Sequence, residues 1–367
     1  MKKFLTALAC TLFLIGCGGG NEEEIIVIVP EEEIEVEEYE EYEEIDPFYG
    51  MVRNPLTGVF GDESLANRRP QAMVVNNLPR AMPQSGLSQA DIIYEVLAEG
   101  GITRLLAIFT DGDAERVGPI RSNRDYFTHM AMDNEAVLVH HGGSPTGYSS
   151  ITNNSVINFD GMHLEGSVFW RDQERFRQPG MREHSSYTSF ESIKESMENR
   201  GIDIYLEQRN NPFNFFDTPT VPRGANPMTA VTIPFSNFQN SRFVFDEDHF
   251  RRYQRGDAQI DDMTDEQLTV SNIIVQKVPK HVIAGDSEGR MSVNLVGEGG
   301  GYLVTYGHYI PITWRRISLN SPTLWFDQFG EKLTLNEGKT WIAVFQNNGE
   351  VRFENSSPEE ISDEDED

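Results

Sequence analysis

Two acidic runs limit the part of this chain that can build a hydrophobic core. Residues 22–46 carry 14 acidic side chains and no basic one, and residues 354–367 carry 8 acidic side chains and no basic one. Such runs repel themselves and hold too little apolar surface to fold. We therefore expect an acidic disordered linker over 17–46 and an acidic disordered tail over 353–367. This leaves 47–352 for folded structure, which is long enough for two domains of common size.

The formal net charge of −29 comes mostly from these two runs. Without their 22 acids, and without the two lysines near the N-terminus, 37 acidic and 28 basic side chains remain, a net charge near −9. That balance is ordinary for an acidic globular protein, and it offers no strongly basic face for nucleic acid. We therefore expect no nucleic-acid partner. The acidic runs could alternatively bind cations or space the protein from an anionic wall.

The N-terminus has the layout of a secretory signal peptide. Two lysines follow the first methionine, residues 4–15 are almost entirely apolar, and Gly16 precedes Cys17. This pattern predicts a signal peptide over 1–16. Its apolar run is too short to span a bilayer as a helix, which takes about 20 residues.

The cysteine directly after Gly16 resembles a bacterial lipobox, in which the thiol receives a diacylglyceryl group and the chain is cut before it. We expect Cys17 to carry the lipid, with acyl chains such as palmitate, and to anchor the protein on the extracytoplasmic face of the cell membrane. An ordinary secretory signal with a chance cysteine is the alternative.

The cysteine count limits the chemistry further. Cys10 lies in the predicted signal peptide, and Cys17 is the other cysteine of the chain. With a lipid on Cys17, no thiol remains for an intrachain disulfide, a nucleophile or a thiolate metal site. We predict no cofactor and no metal.

Short apolar runs alternate with helical patterns in the first folded segment. The runs predict strands over 72–77, 91–97, 105–110 and 136–140, and the helical patterns lie over 121–132 and 190–199. Strands interspersed with helices indicate an α/β-like domain with a mixed sheet, which we place at 47–228.

The pattern of the second segment predicts strands. A stretch rich in Asn and Pro precedes short apolar runs over 243–245, 272–276, 290–296, 301–305, 309–314, 324–326 and 340–345. Runs at this spacing predict a smaller β-rich domain over 229–352, packed closely on the first. The expected fold class is α+β.

The first candidate site residues surround a glycine pair. Glu95 and Glu99 leave one predicted strand, the pair at 100–101 makes a tight turn, and Arg104 begins the next strand. The side chains either contact a ligand or form a structural Glu–Arg pair in a hairpin.

A second group follows a Gly-Pro turn. Arg121 and Arg124 would share one face of the helix predicted from residue 121, with Ser122 as its cap. A helix N-terminus with two guanidinium groups suits a phosphate or a carboxylate. Alternatively, both arginines pair with nearby acids.

A third group lies at a predicted strand end, where His140, His141 and a glycine turn lead to Ser144. α/β proteins often place functional side chains at such ends. Adjacent histidines on a strand point to opposite faces, which disfavours one shared metal.

The fourth group is a loop-like stretch over 169–188 that concentrates Arg, His, Ser and Tyr, and binding residues favour such loops. A triad of Ser144, His184 and Asp172 can be drawn, but no Gly-x-Ser-x-Gly pattern supports it. We assign no catalytic residue. The candidate ligand-binding residues are Glu95, Glu99, Arg104, Arg121, Ser122, Arg124, His141, Ser144, Arg171 and His184.

Linked motifs across the chain resemble the YerB-like bacterial lipoprotein family. They are Asn54-Pro55-Leu56-Thr57-Gly58, Arg69-Pro70, residues 90–95, Glu99-Gly100-Gly101-Ile102-Thr103-Arg104, residues 118–122, His141-Gly142-Gly143-Ser144-Pro145, residues 184–188, residues 272–276, residues 297–299, Trp314, Gly330 and residues 338–342. The resemblance implies a lipobox, two domains of unknown function and a surface location, and it supplies no activity. One departure is Glu183-His184-Ser185, where the family pattern would have Pro-His-Asn.

Two functions remain open. The first is a non-enzymatic envelope lipoprotein that binds an anionic envelope ligand or a partner protein, with a cell-wall component or an envelope protein as the partner. The alternative is an enzyme acting on cell-wall polymers or polyprenyl-phosphate intermediates, as a hydrolase or phosphotransferase, with the clustered acids, arginines and His141 supplying acid–base and charge-stabilising groups.

Overall fold

The structure, a computed structural model, describes residues 48–355. The predicted signal peptide, the lipid site at Cys17, the acidic linker and the tail beyond residue 355 lie outside the described residues. Among residues 48–355, no helix has both the length and the apolar character needed to cross a bilayer.

The first part of the described chain contains nine strands and five α-helices. In chain order the strands are β1 (Val52–Arg53), β2 (Phe60–Gly61), β3 (Gln71–Asn76), β4 (Ile92–Leu97), β5 (Thr103–Phe109), β6 (Val137–His140), β7 (Asn158–Asp160), β8 (Trp170–Arg171) and β9 (Ser186–Tyr187). The helices are α1 (Asp125–Asp133), α2 (Pro145–Asn153), α3 (Gly161–Leu164), α4 (Gln173–Arg177) and α5 (Phe190–Asn199). Short 3-10 turns lie at Glu63–Ala66, Pro79–Ala81, Leu87–Gln89, Glu99–Gly101 and Arg182–His184.

The remaining described chain is built from strands. They are β10 (Asn214–Phe215), β11 (Asn226–Pro227), β12 (Ala230–Pro234), β13 (Asn240–Asp246), β14 (His249–Gln254), β15 (Asp257–Ala258), β16 (Thr269–Val270), β17 (Asn272–Val278), β18 (Lys280–Val282), β19 (Met291–Val293), β20 (Gly297–Thr305), β21 (His308–Arg316), β22 (Leu324–Phe326), β23 (Thr334–Leu335), β24 (Thr340–Gln346) and β25 (Arg352–Glu354).

One large sheet joins strands from both predicted domains. Ten of its eleven strands run in the order β11-β21-β20-β17-β24-β4-β5-β3-β6-β7, and the eleventh, β22, pairs with β21. Strand β24, late in the chain, lies parallel to β17 on one side and to β4 on the other. The two sequence segments therefore share a hydrogen-bonded sheet, and the boundary at 228/229 stays a prediction.

A six-stranded sheet packs against one face of the large sheet. Its strands run β15-β14-β13-β12-β25, with β16 on β14. Phe243 and Phe250 of this sheet belong to the same apolar cluster as Ile93 and Trp341 of the large sheet. Because side chains alternate along a strand, every second residue of β4 and β24 points into this layer.

Helices α1 and α2 cover part of the opposite face. Tyr126, Phe127 and Ile151 pack with Val74 and Leu106 in a second apolar cluster. The molecule thus has layers on both faces of its central sheet, and the predicted α+β class is confirmed.

The predicted strands appear with shifts of a few residues, and helix α5 has the predicted bounds, Phe190–Asn199. The helix predicted from residue 121 was wrong at its start, because α1 begins at Asp125. Residues 121–124 are extended instead, since Arg121 N donates to Val74 O at 2.7 Å and Asn123 N donates to Gly142 O at 2.9 Å. Helix α2 and strands β12 and β14 were not predicted.

Candidate functional site: an arginine cleft

A cleft of about 620 Å³ opens where β6 ends and the extended segment before α1 passes beside it. Strands β6 and β7 are parallel, so their carboxyl ends lie at the same edge of the sheet. We call this cavity the arginine cleft. Its lining residues are Ile120, Arg121, Ser122, His141, Gly142, Gly143, Tyr148, Met162, Arg171, Arg182 and Glu183.

His141 follows β6 and turns its ring into the cleft wall. Its Nδ1 lies 2.8 Å from Ser186 Oγ, and its Nε2 lies 2.9 Å from Nη2 of Arg171. Because a guanidinium group only donates, Nε2 accepts, so we assign the ring proton to Nδ1, which donates to Ser186. Burial, together with the charge of Arg171, lowers the pKa of His141 to about 4. His141 is therefore neutral at neutral pH, and both ring nitrogens are engaged.

Arg171 is held at three nitrogens. Nε donates to Glu165 Oε2 at 3.0 Å, Nη1 donates to Arg182 O at 2.9 Å, and Nη2 donates to His141. Its side chain is 13% exposed. These contacts fix a positive charge at the cleft wall in one orientation.

Arg121 has spare donors. Its Nη2 donates to Glu183 Oε2 at 2.8 Å, while its buried Nε has no hydrogen-bond partner among residues 48–355. Arg182 also lines the cleft and forms no salt bridge within the described part of the chain; its guanidinium lies 5.6 Å from the ring centre of Phe176. The exposed Arg182 has N–H groups directly available to an anionic ligand, whereas the unpartnered Nε of Arg121 is shielded from solvent in this structure.

One lip of the cleft, formed by Tyr148 and Met162, is apolar. Tyr148 is 38% exposed and Met162 is 61% exposed. Asp160 organises this lip, because its carboxylate accepts from the backbone N–H groups of Gly142 and Met162 and from the Tyr148 hydroxyl. Although burial raises the pKa of Asp160, these hydrogen bonds outweigh it and lower that pKa. Gly142 has φ of +74°, which favours glycine at this turn.

Glu99, Arg104 and Arg124 form a support cluster behind the cleft. Arg104 lies 3.0 Å from Glu99, and Arg124 also pairs with Glu99. Arg104 Nη1 donates to Ser122 O at 2.8 Å, and Arg124 Nη1 donates to Asn123 O at 2.7 Å. The cluster therefore holds the backbone that carries Arg121 toward the cleft.

The charge balance of the support cluster appears in its pKa values. Burial by itself raises the pKa of Glu99, but the charges of Arg104 and Arg124 outweigh it and hold that pKa at about 2. Burial and the neighbouring Arg124 lower the pKa of Arg104 to about 10. The Glu99–Arg104 contact matches the alternative interpretation of this hairpin, a structural pair.

Glu95 lies outside the cleft, in the core between the two sheets. Its carboxylate accepts from Ser241 Oγ at 2.6 Å, from Thr103 Oγ1 at 2.7 Å and from Trp341 Nε1 at 3.1 Å. It also pairs with Arg252 at 3.4 Å, and both side chains are 0% exposed. We call Glu95 and Arg252 the core pair, because it links the large sheet to the six-stranded sheet.

The remaining sequence candidates have other partners. Ser144 caps α2, where its Oγ accepts from Gly147 N at 3.0 Å. His184 lies beside the cleft with Nδ1 2.7 Å from Asn76 Nδ2, and Asp172 caps α4 by accepting from Arg175 N at 2.9 Å. The three side chains drawn as a triad therefore do not form one.

Arg121 and Arg124 do not share a face as predicted. Their segment is extended rather than helical, so Arg121 points to the cleft and Arg124 points to Glu99. Of the ten candidates, four line the cleft: Arg121, Ser122, His141 and Arg171. Within residues 48–355, no group of three or more His, Cys, Asp or Glu side chains is arranged to hold a metal ion.

Several cleft residues were not predicted. Arg182 and Glu183 lie in the Arg-rich stretch that was singled out as a binding loop, so composition marked the region but not the residues. Tyr148 and Met162 carry no such signal, because they reach the cleft from α2 and α3, two short helices that the sequence pattern did not indicate.

Comparison with known proteins defines the class. The model "Protein of unknown function (DUF3048) N-terminal domain" matches residues 56–203, and the corresponding C-terminal domain matches residues 231–342. Together these matches cover more than half of the chain, so the chain belongs to the DUF3048 family. The family description states no activity.

A named relative agrees with the YerB-like resemblance, which is confirmed. The chain is 34% identical over 296 residues to "Putative lipoprotein YerB" of Bacillus subtilis (strain 168), an alignment covering 80% of this chain and 86% of the relative. The crystal structure of the YerB protein from Bacillus subtilis matches with a TM-score of 0.72 and 33% identity, covering 82% of this chain and 99% of that one.

Proposed function

We propose that this protein is a cell-envelope lipoprotein that binds an anionic envelope ligand through the arginine cleft. One observation carries the proposal. Arg121, Arg171 and Arg182 line one cavity, and two of them keep N–H groups that no described residue accepts, in a chain whose net charge is −29. Such donors favour carboxylate or phosphate oxygens.

The membrane anchor is a separate part of the proposal. The sequence around Cys17 resembles a lipobox, and the Bacillus subtilis relative carries the name lipoprotein. A lipid on Cys17 would hold the protein at the extracytoplasmic face of the cell membrane. The acidic segment over 22–46 lies between Cys17 and the cleft residues in the sequence.

If a lipid anchor places the protein in the cell envelope, its ligand is a molecule of the envelope as well. Phosphorylated wall polymers, polyprenyl phosphates and acidic segments of envelope proteins all present the oxygens that guanidinium groups recognise. The enzymatic alternative gains no support, because Glu95 lies in the core and both ring nitrogens of His141 are engaged.

Isothermal titration tests the proposal with the full-length protein in detergent micelles. The probes are solubilised cell-wall fragments that carry phosphate and a polyprenyl phosphate. We expect saturable binding, and Arg121→Gln should weaken it about 10- to 100-fold, as for loss of a charge-assisted hydrogen bond. Arg315→Gln is the matched control, because Arg315 is exposed and lines a different cavity.

The titrations of the two variants distinguish binding in the cleft from binding elsewhere. Binding that falls with Arg121→Gln and persists with Arg315→Gln supports the cleft. Flat titrations with every anionic probe, together with no envelope protein captured by crosslinking in cells, would overturn the proposed function.

A further inference from the structure

The contact between Arg121 and Glu183 has the geometry of an occupied anion site. Glu183 Oε2 lies 2.8 Å from Nη2 of Arg121, inside the cleft that both residues line. Glu183 is carried by the short 3-10 turn Arg182–His184 and its side chain is 68% exposed. A carboxylate oxygen therefore stands where a ligand oxygen would bind the same nitrogen.

We propose that the arginine cleft takes a phosphomonoester, and that the carboxylate of Glu183 occupies the phosphoryl position on Arg121 until the ligand displaces it. The proposal rests on the proposed function of the cleft and names its ligand class. It follows from the donor pattern, the charge count and the apolar lip.

The donor pattern fits a group with several oxygens. Glu183 satisfies Nη2 of Arg121 and leaves the buried Nε without a partner among residues 48–355. Nε and Nη2 are the two donors of the side edge of a guanidinium group, which binds two oxygens of one phosphoryl group in parallel. A third phosphoryl oxygen remains for Arg182, which lines the same cavity.

The charge count favours two negative charges on the ligand. Three guanidinium groups line the cleft, and Glu165 pairs with one of them, Arg171, at 2.9 Å. Once Glu183 has moved away, no acid that lines the cleft remains to pair with Arg121 or Arg182, while the carboxylate of Asp160 behind the lip stays bound to Gly142, Met162 and Tyr148. A phosphomonoester is close to a dianion at neutral pH, whereas a phosphodiester carries one charge. The monoester therefore matches the site better.

Displacing Glu183 costs little. Its pair with Arg121 is largely exposed on the acid's side, and exposed ion pairs contribute little to stability. Arg171 stays fixed by Glu165 and His141, so the wall of the site needs no rearrangement. One exposed side chain is thus the part that has to move.

The apolar lip offers a contact surface for the carbon part of a phosphate ester. Tyr148 and Met162 expose apolar surface at the same cavity that holds the arginines. A Cβ added at Gly143 would lie 3.3 Å from the Tyr148 ring, so the glycine keeps the lip open beside the ring. The carbon side of a monoester, either a lipid chain or a sugar, would rest on this lip.

The experiment titrates the full-length protein in micelles with phenyl phosphate, diphenyl phosphate and inorganic phosphate. We expect phenyl phosphate to bind more tightly than the diester. Glu183→Gln should tighten phenyl phosphate and inorganic phosphate binding about two- to five-fold, the size of an exposed ion pair. Glu298→Gln, an exposed glutamate at another cavity, is the matched control and should change nothing.

Two further titrations identify the carbon part of the ester. Met162→Ser should weaken phenyl phosphate more than inorganic phosphate, because only the former reaches the lip. The affinities of polyprenyl phosphate and glucose 1-phosphate, both monoesters, are then compared. Tighter binding of the first indicates a lipid headgroup, and tighter binding of the second indicates a soluble sugar phosphate.

Each contrary outcome has a distinct meaning. If Glu183→Gln leaves phosphate binding unchanged or weakens it, phosphate does not displace Glu183 from Arg121. If the monoester and the diester bind equally, the ligand is not specifically a phosphomonoester. If wall fragments bind through Arg121 while no small phosphate does, this inference fails and the proposed function stands. If no anionic probe binds the wild type and crosslinking in cells captures no envelope protein, both fail.

Discussion

Two arginine–glutamate pairs in this molecule have the same chemistry and opposite surroundings. In the core pair, Glu95 and Arg252 are both 0% exposed, and the Arg252 guanidinium lies 4.7 Å from the ring centre of Trp341. In the cleft, the side chain of Arg121 is 19% exposed and that of Glu183 is 68% exposed. Burial, rather than residue type, decides which pair holds the fold and which one a ligand could displace under the proposal above.

The difference has an energetic basis. A buried charge that loses its partner remains in a medium of low polarity, so breaking such a pair is costly. The exposed carboxylate of Glu183 is solvated by water when it leaves Arg121, so an anion that replaces it on the half-buried guanidinium does so at little cost. Burial also lowers the pKa of Arg252, and the carboxylate of Glu95 opposes that shift. Variants of the two pairs, and of the support cluster between them in effect, test this contrast.

The core pair should dominate stability. Glu95→Gln removes the charge that balances Arg252 between the two sheets, so we expect a loss of about 3–5 kcal/mol in the free energy of unfolding. Urea denaturation followed by tryptophan fluorescence measures it. Glu298→Gln is the matched control.

A double variant sharpens the same prediction. Glu95→Gln combined with Arg252→Met removes both charges, so it should be more stable than Glu95→Gln alone. Equal stability of the single variant and the wild type would show that the core pair does not hold the sheets together.

The support cluster should have an intermediate effect. Arg124→Gln removes one of the two arginines that pair with Glu99 and a donor to Asn123 O. We expect a loss of about 1–3 kcal/mol in stability. Anion binding should weaken as well, because the backbone that carries Arg121 loses a contact. Denaturation and phosphate titration on the same variant measure the two effects, and full stability with unchanged binding would contradict a supporting role.

The pH dependence of stability should report the same cluster. The pKa of Glu99 is about 2 in the folded protein, below its usual value of 4.5, so folding favours its charged form. Its contribution is complete above pH 4.5 and is lost as the pH falls toward 2. The stability difference between wild type and Glu99→Gln should therefore be constant from pH 7 to 5 and shrink below that. A difference that grows on acidification would contradict the assignment.

The cleft pair should matter least for stability. Glu183→Gln removes an exposed ion pair, so we expect the free energy of unfolding to change by no more than about 0.5 kcal/mol. Its urea denaturation midpoint should coincide with that of the wild type. A loss as large as that of Glu95→Gln would erase the distinction between the two pairs.

Local sequence patterns predicted much of the fold. Apolar runs located β3, β4 and β5 within a few residues, and helix α5 was predicted with its observed bounds. These elements are encoded by short-range periodicity and end signals. Strand β24 was found as well, but not its position between β17 and β4, because strand order depends on contacts across the whole chain.

The site was less predictable for the same reason. Glu95 looked like a residue at a strand end, and the side chains that bury it, Ser241 and Arg252, come from about 150 positions later. The segment over 121–124 looked helical, but long-range backbone hydrogen bonds to Val74 and Gly142 hold it extended. Long-range pairing overrode local preference in both places.

A crystal structure of the protein with phenyl phosphate would show directly whether the ligand displaces Glu183 from Arg121. We expect phosphoryl oxygens within hydrogen-bond distance of Arg121 Nε and Nη2, with Arg182 turned toward the ligand and Glu183 moved away. A ligand bound elsewhere, or a cleft in which Glu183 still holds Arg121 at saturating phenyl phosphate, would contradict it.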